Sequence, residues 1–364
     1  MRILFVAPFG TCRLQTVPRR LLPLAVALAG QGCTVEVLVP AWDCPGEAGR
    51  VQEQTGVRVV CPAVGPAPHP LVDPLLLHRL QRALTAFEPD IVHVSKGLGY
   101  AGLLARYGLQ RGSGRVYLDL DDLETAAGWG RQRSWLWRHL LIGQERDLVR
   151  RVAGVTVAAI ALRPYVSRQR PDAGRPLYLP NGLDPAPTPA AVAANPPVVL
   201  VYTRGHDIAA DRLARLWMSI LERVPTAHLR FLGDWTAAPR LPQAEYRGWC
   251  TGEALITALR SAAVAFFPVT DDARTRAKSP ARLLDCLAQG LPIVTADVGE
   301  YGLLTGRGGV VVPPDDDEAL IEAVTTVLLA SDYRAALGQA AWHQAHRHTW
   351  PRRAAALLAW YADP

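Results

Sequence analysis

The sequence predicts an α/β fold in two domains, and three observations carry that prediction. Strand-like runs alternate with helical patterns from the first residues. The alternation stops at a Pro-rich stretch in mid-chain and then resumes. A chain of 364 residues with 49% apolar content can bury two cores of ordinary size. In the first half, residues 3–7, 34–39, 57–60, 90–94, 116–120 and 154–159 read as strands, with 177–179 a short addition. Residues 17–31 have an amphipathic helical period that Gly32 closes. Strands separated by helices at this spacing imply a parallel sheet covered on both faces. Residues 184–197 are a Pro-rich linker. Strand patterns return at 198–202, 227–232, 244–247, 263–267, 293–296 and 309–312. The chain then ends in helical patterns over 316–329, 333–346 and 352–361, with Asp315–Glu318 read as a cap and first turn.

Composition narrows the classes. No run of 18 apolar residues occurs, so no bilayer-spanning helix is expected. The first apolar run is too short for a signal peptide and reads as a buried strand. Six cysteines (Cys12, Cys33, Cys44, Cys61, Cys250, Cys286) lie scattered without zinc spacing, which reads as reduced thiols in a cytosolic protein and no metal site. Residues 1–183 hold 22 Lys/Arg against 14 Asp/Glu, and residues 184–364 hold 17 against 19. A basic first half suits an acidic partner or simply solubility; nucleic acid is disfavoured, because no basic-aromatic recognition motif is present. Only two of the 39 basic residues are lysines, Lys96 and Lys278, and both fall in motif-like segments.

The most informative stretch runs from Arg274 to Gly299. Ser279 reads as an N-cap and Pro280 as the first helical residue. Leu283, Leu284, Leu287 and Ala288 follow the helical period, and Gly290 supplies the stop. Arg276 and Lys278 would then stand beside free helix N–H groups, which makes an anion site. Asp285, further in, could accept hydrogen bonds from sugar hydroxyls. Phosphate first and ribose next is the layout of a nucleotide donor site.

This segment resembles the donor-binding helix of retaining GT-B glycosyltransferases, especially glycosyltransferase family 4. Asp285 takes the second acidic place of that family's motif, and Ala288-Gln-Gly-Leu-Pro-Ile-Val294 matches its tail. The first acidic place falls on Ala277, so the chain is closer to the variant with Lys278-Ser-Pro-Ala-Arg282-Leu283 before the helix. The resemblance implies two Rossmann-like domains facing across a cleft: an acceptor-side domain over 1–183 and a donor domain over 198–345. A terminal helix, 346–364, would return to the first domain. It also implies metal independence and no cofactor, with a nucleotide-diphosphate sugar as co-substrate. Arg204 stands where relatives grip the diphosphate, while their lysine place is Ala209; Lys278 could replace that charge. The donor-binding set is thus Arg204, Lys278, Ser279, Pro280, Arg282 and Asp285. Leu179-Pro-Asn-Gly-Leu-Asp184 matches the family's turn at the end of the first domain.

In the first domain, the loop with Gly10, Thr11 and Arg19 lacks G-x-G-x-x-G, which weakens a dehydrogenase reading. The resemblance places these three beside donor phosphate or acceptor. Arg19 and Arg20 are equally readable as a solvated helix face. Lys96 ends a strand, where open α/β sheets place ligands; His93, inside the same strand, is either a packed core histidine or functional. Asp119, Asp121, Asp122 and Glu124 crowd another strand end, and a buried Asp119 needs a partner. Asp121 stands where many relatives have the histidine that faces the reacting sugar, so it is a candidate base or orienting group. Carboxylate density alone also admits a divalent cation. Residues 131–151 mix arginines with Trp135 and Trp137, which suits contact with an anionic membrane from the cytoplasmic side. The alternative there is a core role for Leu136, Leu140 and Leu141.

The expected activity is sugar transfer from a nucleotide diphosphate to an unidentified glycan, lipid-linked or small-molecule acceptor, with retention. The alternatives are a catalytically inactive GT-B subunit, which Ala277 and Ala209 favour, and a nucleotide-sugar epimerase on the same fold.

Overall fold

The computed structural model describes residues 1–12, 16–65, 73–123, 134–172, 174–186, 188–189, 196–205, 207–235 and 238–362. The chain divides into two compact units. The first comprises Met1–Asn181, Ala277–Ser279 and Trp350–Pro364; the second comprises Gly182–Arg276 and Pro280–Thr349.

The first unit holds an eight-stranded sheet: β1 (Arg2–Val6), β2 (Thr34–Leu38), β3 (Arg50–Gln54), β4 (Val57–Cys61), β5 (Ile91–Ser95), β6 (Arg115–Leu120), β7 (Gly154–Val157) and β8 (Leu177–Tyr178). Their order is β3-β4-β2-β1-β5-β6-β7-β8, parallel throughout except for the antiparallel β3–β4 pair. The central strands are β-branched runs buried on both faces, as helix-covered parallel strands must be. β3 is the strand that the hydrophobic pattern does not announce. Its Arg-Val-Gln-Glu-Gln is exposed at every position, so it carries no hydrophobic signal, and backbone pairing to β4 holds it.

The first helix also departs from expectation. Residues Val17–Leu21 form a π-turn, and a regular helix follows over Leu22–Ala29. Pro23 withholds an N–H from the ladder at this point, whereas Pro18 sits in the first turn, where its N–H would be unpaired anyway. Helix Pro74–Phe87 starts on Asp73, whose carboxylate accepts from the N–H groups of Leu75 and Leu76, both at 3.0 Å. Helix Trp350–Ala362 begins at the Trp-Pro pair, and Trp350, Ala354, Leu357 and Tyr361 complete the apolar layer over Ile3, Phe5 and Val37.

The second unit holds six parallel strands: β9 (Val198–Tyr202), β10 (His228–Leu232), β11 (Ala244–Tyr246), β12 (Val264–Phe267), β13 (Ile293–Ala296) and β14 (Gly309–Val312), in the order β11-β10-β9-β12-β13-β14. Asp316 caps helix Asp317–Leu329 by accepting from Ala319 N–H at 2.9 Å. Within the stretch read as a linker, residues 187 and 190–195 lie outside the described residues. Ala186 is tied down: its N–H donates to Ala288 C=O at 2.9 Å, and its own carbonyl accepts from Trp342 Nε1 at 2.8 Å. No described helix is long and apolar enough to cross a membrane.

In each sheet the strand order reverses beside the first strand, between β1 and β5 and between β9 and β12. Open α/β sheets bind ligands outside the carboxyl ends of the strands at such a switch point. Gly10 and Thr11 follow β1, Lys96 follows β5 and Arg204 follows β9 at these edges.

Candidate donor and acceptor sites

In the second unit, β9 delivers Tyr202, Thr203 and Arg204 to the switch point. Gly233, after β10, has φ 110°, and a Cβ there would lie 1.9 Å from Thr203 C=O, so only glycine allows the two strand ends to approach this closely. Asp207 is buried, and its carbonyl accepts from Thr270 N–H, after β12, at 3.2 Å. Arg282, in the first turn of helix Ala281–Ala288, lies 5.6 Å from the Tyr202 ring and 5.8 Å from the Trp249 indole. Arg204 lies 5.7 Å from the same indole. Two guanidinium groups therefore share one aromatic platform. The Asp207 carboxylate stands 3.9 Å from Arg282, and Arg282 Nε has no hydrogen-bond partner among the described residues. Burial, and then the neighbouring Arg282, lower the Arg204 pKa against the pull of Asp207 and Asp234. Two neighbouring cations suit anionic oxygens, which would relieve the repulsion between them. The sequence points to Arg204 and Arg282, and the resemblance implies that the turns Leu232-Gly-Asp234 and Gly248-Trp249-Cys250 line a base pocket. That Trp249 lies within reach of both guanidinium groups is a property of the fold.

The start of the donor helix needs correcting. The helix begins at Ala281, with Pro280 at the cap position, and no side chain caps it. Ser279 is neither cap nor helical: its Oγ accepts from Asn181 N–H at 2.9 Å, and its carbonyl accepts from Asn181 Nδ2 at 2.9 Å. Arg276 is paired with Asp271, its Nη2 donating at 2.6 Å. Ala277 is buried in the apolar cluster of the first unit, so that place has become a core position. Lys278 and Asp285 are both partly exposed, and Ala209 is exposed. Gly290, with φ 70°, stands two residues past the helix end.

In the first unit, the loop after β1 is fastened to the segment 41–47. Gly10 N–H donates to Asp43 Oδ1 at 2.7 Å, and Thr11 N–H donates to Glu47 Oε2 at 3.0 Å, with the Thr11 hydroxyl on the same carboxylate. A Cβ on Gly10 would meet Cys44 Cβ at 2.7 Å. Cys12 and Cys44 form a disulfide, Cα to Cα 6.0 Å, which corrects the expectation that all six cysteines are reduced. Their separation of 32 residues follows no recognisable spacing. The expected thiol count in denatured, unreduced protein is therefore four, rising to six after reduction; mass spectrometry of the alkylated chain reads it directly. Arg19 is partly exposed, but Arg20 is not on a solvated face. It is buried, with Nε and Nη2 on the two oxygens of Asp119 at 2.7 and 2.6 Å, Nη1 on Asn181 at 3.0 Å and Nη2 on Leu179 C=O at 2.9 Å. Asp119 thus has the partner that its burial demands, and Thr156 Oγ1 adds a donor at 2.7 Å.

Lys96 and Asp121 meet at the carboxyl edge of β5 and β6, with Nζ 2.7 Å from Oδ1 and both side chains largely buried. Lys96 has φ 48°, in the left-handed region, a strain that folded chains keep mainly where a side chain must be aimed. His93 faces the other way. It is fully buried, with Nδ1 2.6 Å from Tyr361 Oη and its ring 5.1 Å from Phe5. Burial pushes its pKa down to about 4, with Asp119 and Arg20 acting in opposite directions. A sealed imidazole cannot touch a substrate, so the catalytic candidacy of His93 is withdrawn in favour of a core role. Asp122 accepts from Leu123 N–H at 2.7 Å, while Glu124 lies outside the described residues. Among the described residues no group of three or more His, Cys, Asp or Glu could hold a metal ion.

The comparisons with known proteins bear on the family and the fold. Residues 16–182 match the family model described as a glycosyl transferase 4-like domain, and residues 212–359 match one described as glycosyl transferase-like. Sucrose-phosphate synthase from Thermosynechococcus elongatus superposes with a TM-score of 0.71 at 16% identity, over 100% of this chain and 98% of that one. HepE from Anabaena, in complex with UDP and glucose, gives 0.67 at 14% identity over 100% of both chains. WaaG, a glycosyltransferase involved in lipopolysaccharide biosynthesis, gives 0.65 at 16%, over 98% of this chain and 99% of that one. At these identities the superpositions establish the fold. No curated protein matches the chain in sequence.

Proposed function

The chain belongs to the GT-B glycosyltransferases, and on that premise we propose that it moves a sugar from a nucleotide diphosphate to a hydroxyl acceptor, with retention. The observation that carries this reading is the pair Arg204 and Arg282 over Trp249 at the switch point of the second sheet. Two fixed cations match the two phosphates of a leaving nucleoside diphosphate and would stabilise its developing charge. In this reading Lys278 adds a third cation, Ser279 and Pro280 shape the chain before the helix, and Asp285 receives the ribose hydroxyls. UDP and UDP-glucose complexes of HepE support a nucleotide sugar as donor. The acceptor is a glycan, lipid-linked or small molecule, approached by Lys96, Asp121 and the Gly10–Thr11 loop. The proposed setting is cytoplasmic, peripheral to the inner face of a membrane; there the Cys12–Cys44 bond would be open to reduction.

A thermal-shift screen against UDP, GDP, ADP and TDP sugars tests the donor, because a ligand that binds the folded state raises the melting temperature. Replacing Arg204, Arg282 or Lys278 by Ala is expected to weaken nucleotide-diphosphate binding by about 1–3 kcal/mol each. Unchanged affinity in all three variants would remove the phosphate site. Donor binding without hydrolysis or transfer, across a panel of sugars and acceptors, would identify an inactive subunit. Sugar interconversion without acceptor would identify an epimerase.

A further inference from the structure

Helix Trp135–Arg151 carries a face left open to solvent among the described residues, and none of the donor- or acceptor-site candidates lies on it. Its inner side is Leu141, Gln144, Glu145, Leu148 and Val149. On the outer side Trp135 is 72% exposed, Leu136 53% and Leu140 54%, while Leu141 and Leu148 pack inward. At 100° per residue, these three apolar groups share one face with Arg146, Arg150 and Arg151, all exposed. The first two turns of that face are therefore apolar and the last two cationic. His139, also exposed, sits beside Trp135 with ring centroids 5.7 Å apart. The acidic group toward this side, Asp147, is already neutralised by Arg106 at 3.1 Å and Arg151 at 3.5 Å.

We propose that this helix docks the first unit onto an anionic bilayer surface. The 17-residue helix, about 25 Å long, enters with Trp135, Leu136 and Leu140 among the acyl chains. Arg146, Arg150 and Arg151 stay at the phosphate level. Charge selects the occupant: a soluble apolar partner has no use for three arginines along the same face, whereas an anionic lipid surface satisfies both halves at once. The docking is independent of the donor reading, since no donor-site residue lies on the helix.

Flotation of the full chain with vesicles tests it without any sugar present. The chain is expected to float with phosphatidylglycerol-rich vesicles at about 50 mM salt, to stay behind with pure phosphatidylcholine, and to be released from the former at about 500 mM salt. Trp135→Ser/Leu136→Ser/Leu140→Ser, at exposed positions, should lower partitioning at least about 100-fold with an unchanged melting temperature. Arg150→Gln/Arg151→Gln should lower it about 25-fold, at about fivefold per arginine. Absence of wild-type flotation with anionic vesicles overturns the proposal, as does equal flotation with the zwitterionic ones. Should the wild-type chain sediment as a dimer that the triple-serine variant dissociates, the face is an interface between copies instead.

Discussion

Asp121→Asn is expected to lower turnover about a hundredfold or more and to leave donor affinity near its wild-type value. The replacement keeps the shape of the side chain but loses the ability to take a proton. Asp121 lies at the carboxyl edge of its sheet, against Lys96 Nζ at 2.7 Å. A base or orienting group for the acceptor hydroxyl acts in the transition state, so its loss shows in kcat more than in the binding of a donor held elsewhere. Steady-state kinetics together with donor titration separate the two. Turnover close to wild type would make the Lys96–Asp121 pair a structural contact, and the catalytic role would have to be sought on another side chain.

Arg20→Met carries the largest expected cost in stability. It leaves Asp119 as a buried charge without its partner, a loss of about 3–5 kcal/mol. Hydrogen exchange at β1 and β6 reads the first unit by itself, which a whole-chain melting curve does not. Asp119→Leu added to Arg20→Met should recover much of the loss. The pH dependence has a definite sign. Burial alone would raise the Asp119 pKa, but the Arg20 ion pair, with His93 and the Thr156 hydroxyl adding to it, offsets this and holds the carboxyl below its ordinary 3.8. The stabilisation is therefore complete above that value and fades as pH falls through the lower folded pKa. The gap between wild type and Arg20→Met should begin to narrow at higher pH than that window, because without the guanidinium burial raises the Asp119 pKa and the carboxyl protonates sooner.

Buried parallel strands are legible in the sequence because a continuous β-branched run between turn signals fits few structures besides a helix-covered strand. Thirteen of the fourteen described strands fall where the sequence marks a strand, although the edge strands β8 (Leu-Tyr) and β11 (Ala-Glu-Tyr) are not β-branched runs. The exception, β3, is stabilised by backbone pairing, and its side chains record nothing of it. The same limit applies to long-range partners. Burial of Asp119 demands a cation, yet nothing local indicates that it comes from 99 residues earlier in the chain. Ser279 has the right chemistry for a cap, but Asn181, 98 residues away, claims its hydroxyl. Arg204 and Arg282 are legible because loops and helix starts at strand ends are where anions bind. Their convergence on Trp249 is a property of the fold alone.

The first unit has a consequence for the order of events during synthesis. Its sheet is finished by Tyr178, but the layer over Ile3, Phe5 and His93 closes only when Trp350, Leu357 and Tyr361 arrive. Roughly 170 residues separate Asn181 from Trp350, on the order of 10–30 s at ordinary ribosomal speed. Through that interval the nascent sheet presents an uncovered apolar flank while the second unit is still being made. The half of the chain translated first is thus among the last to become native, and truncation before Trp350 should yield a species that chaperones hold rather than a folded domain.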